Sequence, residues 1–180
     1  MNMTFNQAAE CGSLYGLGVI AADDMEKVIT DPDYDLNSAI WCVGTPKQCK
    51  VCLAGAVMTK TLPFDVDAFG SIAREPQHYE KKTELALLAI NMLRTGHISA
   101  AYKALKIDCF VEPPKFRSHY DKFHGAKEAC HFLADLRQFL PKLREYEEQI
   151  GILPNDNDQR ARHKKIIDGI TCAISVRNAA

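Results

Sequence analysis

Apolar residues recur at helical spacing through most of the second half of the chain. Between Lys81 and Thr95 they occupy nearly every face, which is typical of a helix in the middle of a core. Arg94 in the last turn and Gly96 directly after it are a C-terminal stop signal. The spacing resumes over His97–Lys106, and the very short connection predicts that the two helices fold back on each other as a hairpin.

The strongest pattern lies between Gly125 and Ile150, where apolar residues alternate in steps of three and four. The residues of this heptad seam are Ala129, Phe132, Leu136, Phe139, Leu143, Tyr146 and Ile150. Two interpretations are open: a coiled coil that pairs two copies into a homodimer, and a long helix packed on its own domain. Pro141 lies inside the seam and predicts a kink or a break, which favours the second interpretation.

A further helix is predicted from Arg160 to Val176. Its apolar face is formed by Ile166, Ile167, Ile170, Ala173 and Ile174. Its first turns carry a basic cluster that consists of Arg160, Arg162, Lys164 and Lys165. Such a cluster is a candidate contact for a phosphate group or an acidic partner, and the alternative is a solvated helix face.

The first half of the chain has weaker patterns. A short helix capped by Asp23 or Asp24 is expected to end near Val28, and the turn-forming residues Asp31–Asp35 follow it. Small residues between Gln48 and Thr61 predict a closely packed helix. Taken together, the patterns predict an all-α single domain over residues 1–180, a bundle of about six helices with the helical hairpin at its centre.

The composition is that of one ordinary globular domain, with 47% hydrophobic and 25% charged residues in a chain of 180. Residues 1–70 hold four lysines against nine acidic residues, a net charge of −5, so residues 71–180 carry +4. We therefore distinguish an acidic, cysteine-containing N-terminal part from a helical core. The total charge of −1 argues against a generic nucleic-acid binder that works by bulk charge.

The chain begins without a secretory signal, and no run approaches 18 apolar residues. These features predict a cytoplasmic protein without membrane contact. Seven cysteines in such a compartment favour metal binding or thiol reactivity over disulfides.

Trp41, Cys42, Cys49 and Cys52 fall within twelve residues, and three interpretations of this cluster are open. The three cysteines and a histidine could hold a zinc ion, the one cofactor that the sequence offers. Alternatively, Cys52 is a nucleophile at a helix N-terminus, in a segment faintly similar to that of papain-like proteases. The favoured interpretation is structural: small Cys, Ala and Gly side chains let a helix approach its neighbour closely.

A family resemblance runs through the same region. Tyr34-Asp35-Leu36-Asn37, Trp41, and then Cys49-x-x-Cys52-Leu53-Ala54-Gly55 resemble a group of small phage and bacterial proteins without an assigned function. The resemblance implies a phage or mobile-element accessory protein that acts in the host cytoplasm. It implies no catalytic residue.

The motifs of common enzymes are missing, among them the phosphate-binding loop, the dinucleotide fingerprint and the nucleophile elbow. We therefore expect a non-catalytic protein that binds a host or viral protein. Acid–base chemistry, if present, has as its candidates His119, His124 and His131.

A single-stranded nucleic-acid site is the remaining alternative. It would combine the basic residues Arg117, Lys122 and His124 with the aromatic residues Phe116, Tyr120 and Phe123. A connection between helices that packs on the core explains the same residues.

Overall fold

A computed structural model describes residues 3–39, 42–45, 48–62 and 80–154, and these residues form six helices and three short strands. The helices are α1 (Phe5–Cys11), α2 (Leu14–Ile29), α3 (Leu53–Lys60), α4 (Lys81–Arg94), α5 (Ile98–Ala104) and α6 (Ala126–Gln149). The strands are β1 (Tyr34–Leu36), β2 (Cys42–Thr45) and β3 (Gln48–Val51).

The three strands form one small sheet in the order β1-β3-β2. Strand β1 runs parallel to β3, with Tyr34 beside Cys49, and β2 runs antiparallel to β3, with Cys42 opposite Val51. The sequence patterns did not predict this sheet. The protein is mainly helical, as expected, but the stricter all-α prediction needs this correction.

The helix predicted over Gln48–Thr61 is wrong in its first residues, which form β3; helix α3 begins only at Leu53. Within β3, Cys49 and Val51 are buried while Lys50 between them is exposed, the alternation of a strand with one face on the core. A strand of four residues is too short for this alternation to be recognised against the helical spacing that follows it.

Capping residues fix the start of α1 and the turn between α1 and α2. At the start of α1, the Thr4 hydroxyl accepts from the Gln7 N–H, and the Gln7 side chain accepts from the Thr4 N–H. Gly12 ends α1 in the left-handed conformation, with φ of 73°. The Ser13 hydroxyl then accepts from the Gly16 N–H at 2.9 Å and begins α2, so the cap predicted at Asp23 or Asp24 is wrong.

Helix α2 lies at the centre of the described fold, because it packs against α1, α3, α4, α6 and β1. The predicted hairpin is confirmed as α4 and α5, but the central position that we expected for it belongs to α2. One hydrophobic core combines residues of the acidic N-terminal part with residues of the second half. The packing of α2 on α6 is the main contact between these two parts of the sequence.

Helix α6 runs from Ala126 to Gln149 without a break at Pro141. Pro141 is exposed, so water can replace the hydrogen bond that a proline cannot donate. The heptad seam is buried within the same chain, and Leu136 and Leu143 have no solvent exposure. The interpretation of α6 as a long helix packed on its own domain is therefore confirmed, and a homodimer stays a prediction that needs another surface.

Candidate functional site

The connection between α5 and α6 holds an aromatic side chain in solvent. Residues 108–112 form what we name the Phe110 tip. Phe110 is 96% exposed and Val111 is 44% exposed, and these are the large apolar side chains that lie exposed in the part of the chain that the structure describes. Burying a phenylalanine side chain is worth about 1.5–3 kcal/mol. The fold leaves this stabilisation unused, which marks the tip as a candidate contact surface.

Both ends of the Phe110 tip are fixed to the core. Ile107 packs against the core on the N-terminal side. On the C-terminal side Phe116 is buried, and its ring centroid lies 4.7 Å from that of Phe139 on α6. Between these anchors, the Tyr146 hydroxyl donates to the Val111 carbonyl at 2.7 Å. The backbone of the tip is thus held in place while the phenyl ring of residue 110 stays in water.

Acidic side chains flank the exposed ring. Asp108 and Glu112 are both exposed, and Glu112 forms an ion pair of 3.1 Å with Lys115. An ion pair this exposed contributes little to stability. The tip therefore presents an apolar group whose sequence neighbours are the Asp108 carboxylate and the Glu112–Lys115 ion pair, and its complement in a partner is an apolar pocket.

A buried carboxylate follows Tyr146 in α6. Glu147 accepts hydrogen bonds from the Ser13 hydroxyl at 2.5 Å, from the Tyr15 N–H at 2.8 Å and from the Tyr102 hydroxyl at 3.0 Å. Burial raises the pKa of Glu147 above its ordinary value, although these donors favour the charged form.

The Glu147 network is a structural connection. It caps the first turn of α2, where free N–H groups attract a carboxylate, and it joins α5 and α6 to that turn. Glu147, Ser13 and Tyr102 have no solvent exposure, so a substrate does not reach them in this conformation.

Two of the three clustered cysteines are placed with their side chains. Cys49 on β3 and Cys52 at the start of α3 are buried, with exposures of 1% and 0%. The register places the backbone of Cys42 opposite Val51, next to Cys52 in sequence. The described residues contain no group of three or more His, Cys, Asp or Glu side chains that could hold a metal ion. The zinc site of Cys42, Cys49 and Cys52 stays a prediction.

Cys52 does lie at a helix N-terminus, as the nucleophile interpretation requires. The N–H groups of Gly55 and Ala54 favour its thiolate, but burial outweighs them and raises the pKa of the Cys52 thiol. Burial and the neighbouring N–H groups thus act on this thiol in opposite directions, and the nucleophile interpretation of Cys52 stays a prediction.

The aromatic residues predicted to stack on nucleic-acid bases serve the core. Phe116 and Phe123 are buried, and Tyr120 stacks on His131 with ring centroids 4.9 Å apart. Among the basic residues of that prediction, Arg117, Lys122 and His124 are exposed. Arg117 and His119 also line a surface cavity of about 440 Å³ together with Arg94. The charges are accessible, but the two phenyl faces are not.

The basic cluster of Arg160, Arg162, Lys164 and Lys165 lies outside the described residues, as does Trp41. Conversely, no sequence pattern predicted the Phe110 tip. The available sign was Cys109-Phe110-Val111, an apolar run between a helix that ends and the pair Pro113-Pro114. Helical periodicity cannot recognise such a run, because its residues belong to no helix.

The chain matches no protein-family model, no curated protein and no solved structure. None of the helices in the described ranges is both long and apolar enough to cross a membrane.

Proposed function

We propose that this protein acts by binding another protein, and that the Phe110 tip is the centre of the contact. The observation that carries the proposal is the 96% exposure of Phe110 on a loop whose two ends are anchored in the core. A partner is expected to enclose the ring in an apolar pocket and to place a basic group near Asp108.

Anchoring makes the tip suited to binding. Association costs conformational entropy for every group that must be ordered, and this cost is small for a backbone that is already held. The hydrogen bond from Tyr146 to Val111 and the packed ring of Phe116 supply that order before a partner arrives. An aromatic side chain has few rotatable bonds, so fixing it costs less than fixing a long polar one.

The sequence supports a binding role in two further ways. The motifs of common enzymes are missing, and the resemblance to small phage and bacterial proteins implies an accessory factor in the host cytoplasm. A host or viral protein is then the expected partner. The basic cluster of Arg160, Arg162, Lys164 and Lys165 is part of the proposal as a second contact.

Site-specific photo-crosslinking tests the proposal in cells that express the full chain. A photoreactive phenylalanine analogue is placed at position 110 and, as a matched control, at the exposed position Gln138 on α6. We expect one protein species to be crosslinked from position 110 and not from position 138. Equal patterns from the two positions, or no adduct from position 110, would contradict the proposal.

A further inference from the structure

The end of α4 and the connection between α5 and α6 border a polar cavity, which we name the Arg94–Arg117 cavity. Its volume of about 440 Å³ is in the range of sites for small molecules. Two arginines and a histidine share this space with one acidic residue of the described lining. The lining residues are Arg94, Thr95, Gly96, Phe116, Arg117, Ser118, His119 and Asp121.

Arg94 is held in place before any ligand binds. Its Nε donates to Asn91 Oδ1 at 3.3 Å, and its Nη1 donates to the carbonyl oxygen of Asp121. An arginine has five N–H donors, and these two bonds leave the other three for a ligand. Because the guanidinium group is planar and already ordered, its contact with an anion costs little conformational entropy.

The backbone that carries Arg117 and His119 is fixed as well. Phe116 is buried, and the Ser118 hydroxyl donates to the Asp135 carboxylate at 2.6 Å. Between and after these anchors, Arg117 and His119 are exposed. Within the ranges that the structure describes, neither side chain has a hydrogen bond or an ion pair. Their donors are therefore available to a ligand in the cavity.

The end of α4 is compatible with an anion. Carbonyl groups in the last turn of a helix carry partial negative charge and would repel one. Here the Gly96 N–H donates to the Leu93 carbonyl at 3.0 Å, and the His97 N–H donates to the Met92 carbonyl at 2.9 Å. These bonds satisfy two of the carbonyl groups, and the Arg94 guanidinium adds a positive charge.

The charges of the lining favour a phosphate group over a carboxylate. A phosphate monoester carries up to two negative charges and three acceptor oxygens, enough for two guanidinium groups. A carboxylate has two oxygens and one charge, which a single arginine satisfies. The Asp121 carboxylate disfavours further negative charge in the ligand and can accept from a hydroxyl group. The cavity therefore suits a ligand with one phosphate and an uncharged, hydroxylated remainder.

We propose that the Arg94–Arg117 cavity binds a small, hydroxylated phosphate monoester. The phosphate accepts hydrogen bonds from Arg94, Arg117 and His119, and a hydroxyl group of the ligand donates to the Asp121 carboxylate. This site is separate from the Phe110 tip, and its ligand is a small molecule.

An NMR titration of the full-length protein with glycerol phosphate tests the site. We expect saturable shifts of the Gly96, Arg117 and His119 amide resonances, and none with glycerol at the same concentrations. Arg117→Ala is expected to raise the dissociation constant about tenfold or more, because it removes hydrogen bonds to a charged group. Lys122→Ala, an exposed basic position of the same connection outside the described lining, is expected to leave the constant unchanged.

The role of Asp121 is tested with inorganic phosphate as a second probe. We expect the wild type to bind glycerol phosphate more tightly than inorganic phosphate, and Asp121→Ala to lose this preference. Equal affinities of the wild type for the two probes would overturn the proposal, because the cavity would then recognise an anion alone.

Three further results would overturn the proposal. The first is the absence of saturable shifts in the wild type, and the second is an equal loss of affinity in Arg117→Ala and Lys122→Ala. The third is a short single-stranded oligonucleotide that binds more tightly than glycerol phosphate, because the surface would then be a nucleic-acid site. Arg117 is exposed, so the comparison does not depend on a variant that fails to fold.

Discussion

Glu147 accepts hydrogen bonds from the start of α2 and from α5 while it belongs to α6. A carboxylate so deeply buried is stable only if every donor around it stays in place. Ser13 illustrates this, because its hydroxyl donates to Glu147 and accepts from the Gly16 N–H at the same time. At the scale of single residues, this network fixes where α2 begins relative to α6.

Removal of the Glu147 carboxylate is therefore expected to be costly. We expect Glu147→Ala to lower the free energy of unfolding by about 3–5 kcal/mol, because it leaves buried donors without an acceptor. Chemical denaturation measures this change. The control Glu145→Ala, at an exposed position on the same helix, is expected to stay within about 0.5 kcal/mol of the wild type. Equal losses in the two variants would contradict the structural role of Glu147.

Glu147 also predicts a pH dependence of stability. Its pKa is raised by burial, so the folded protein holds this proton at a pH where the unfolded chain has released it. Protonated Glu147 therefore adds to the free energy of unfolding. This contribution is fully present below pH 4.5, the ordinary pKa of a glutamate, and is lost as the pH rises through the pKa of Glu147 in the folded protein. We expect Glu147→Gln to remove this decline in denaturation curves recorded from pH 4 upward. If the free energy of unfolding of the variant still falls over this pH range, groups other than Glu147 cause the fall.

At the scale of elements, periodicity predicted α4, α5 and α6 because each has an apolar face that repeats over about two turns or more. It could not predict β3, whose four residues adjoin a helix, nor the central place of α2, which depends on how the faces combine. The Phe110 tip was missed for a third reason: an exposed anchor has no pattern, since nothing in the chain packs against it. The clustered cysteines were recognised, but the burial of Cys49 and Cys52 became visible only in the fold.

The hairpin of α4 and α5 depends on Gly96. This residue has φ of +77°, and a Cβ atom there would lie 2.6 Å from the carbonyl oxygen of Phe116. Gly151 has φ of +81° with open space around it. Alanine at either position is expected to lower the free energy of unfolding by about 1–2 kcal/mol, because a Cβ atom disfavours the left-handed backbone conformation.

We expect Gly96→Ala to lower the free energy of unfolding by about 1–3 kcal/mol more than Gly151→Ala does, because the Phe116 carbonyl must move. Thermal and chemical unfolding of both variants measure the difference. Equal losses of stability in the two variants would contradict the close contact between Gly96 and the Phe116 carbonyl.

Thiol accessibility tests the interpretation of the cysteine cluster. Because Cys49 and Cys52 are buried and the pKa of Cys52 is raised, we expect alkylation to be slow at both, and fast at the exposed Cys11 and Cys130. Mass spectrometry of the labelled peptides gives the rate for each position. Zinc analysis of protein purified without chelator tests the metal-site alternative, because a structural site keeps its tightly bound metal through purification. The favoured structural interpretation of the cluster predicts less than about a tenth of an equivalent of zinc. One equivalent of zinc would instead establish the metal site.

At the scale of the whole molecule, α2 and α6 bring the two parts of the chain into one core, and the surface elements are arranged around that pair. The Phe110 tip lies on the connection that precedes α6, and Leu153 and Pro154, which follow α6, line a groove beside α2. Stability and binding are thereby separated: the core residues hold the fold, while Phe110 contributes almost nothing to it. A substitution at Phe110 is expected to change binding alone.

The affinity of Phe110→Ser for the protein crosslinked from position 110 tests this claim most directly. We expect the dissociation constant to rise about 30-fold, equivalent to roughly 2 kcal/mol for a central aromatic contact. The free energy of unfolding should stay within about 0.5 kcal/mol of the wild type. Gln138→Ser, the matched exposed substitution, should leave both quantities unchanged. An affinity of Phe110→Ser equal to that of the wild type would contradict the account.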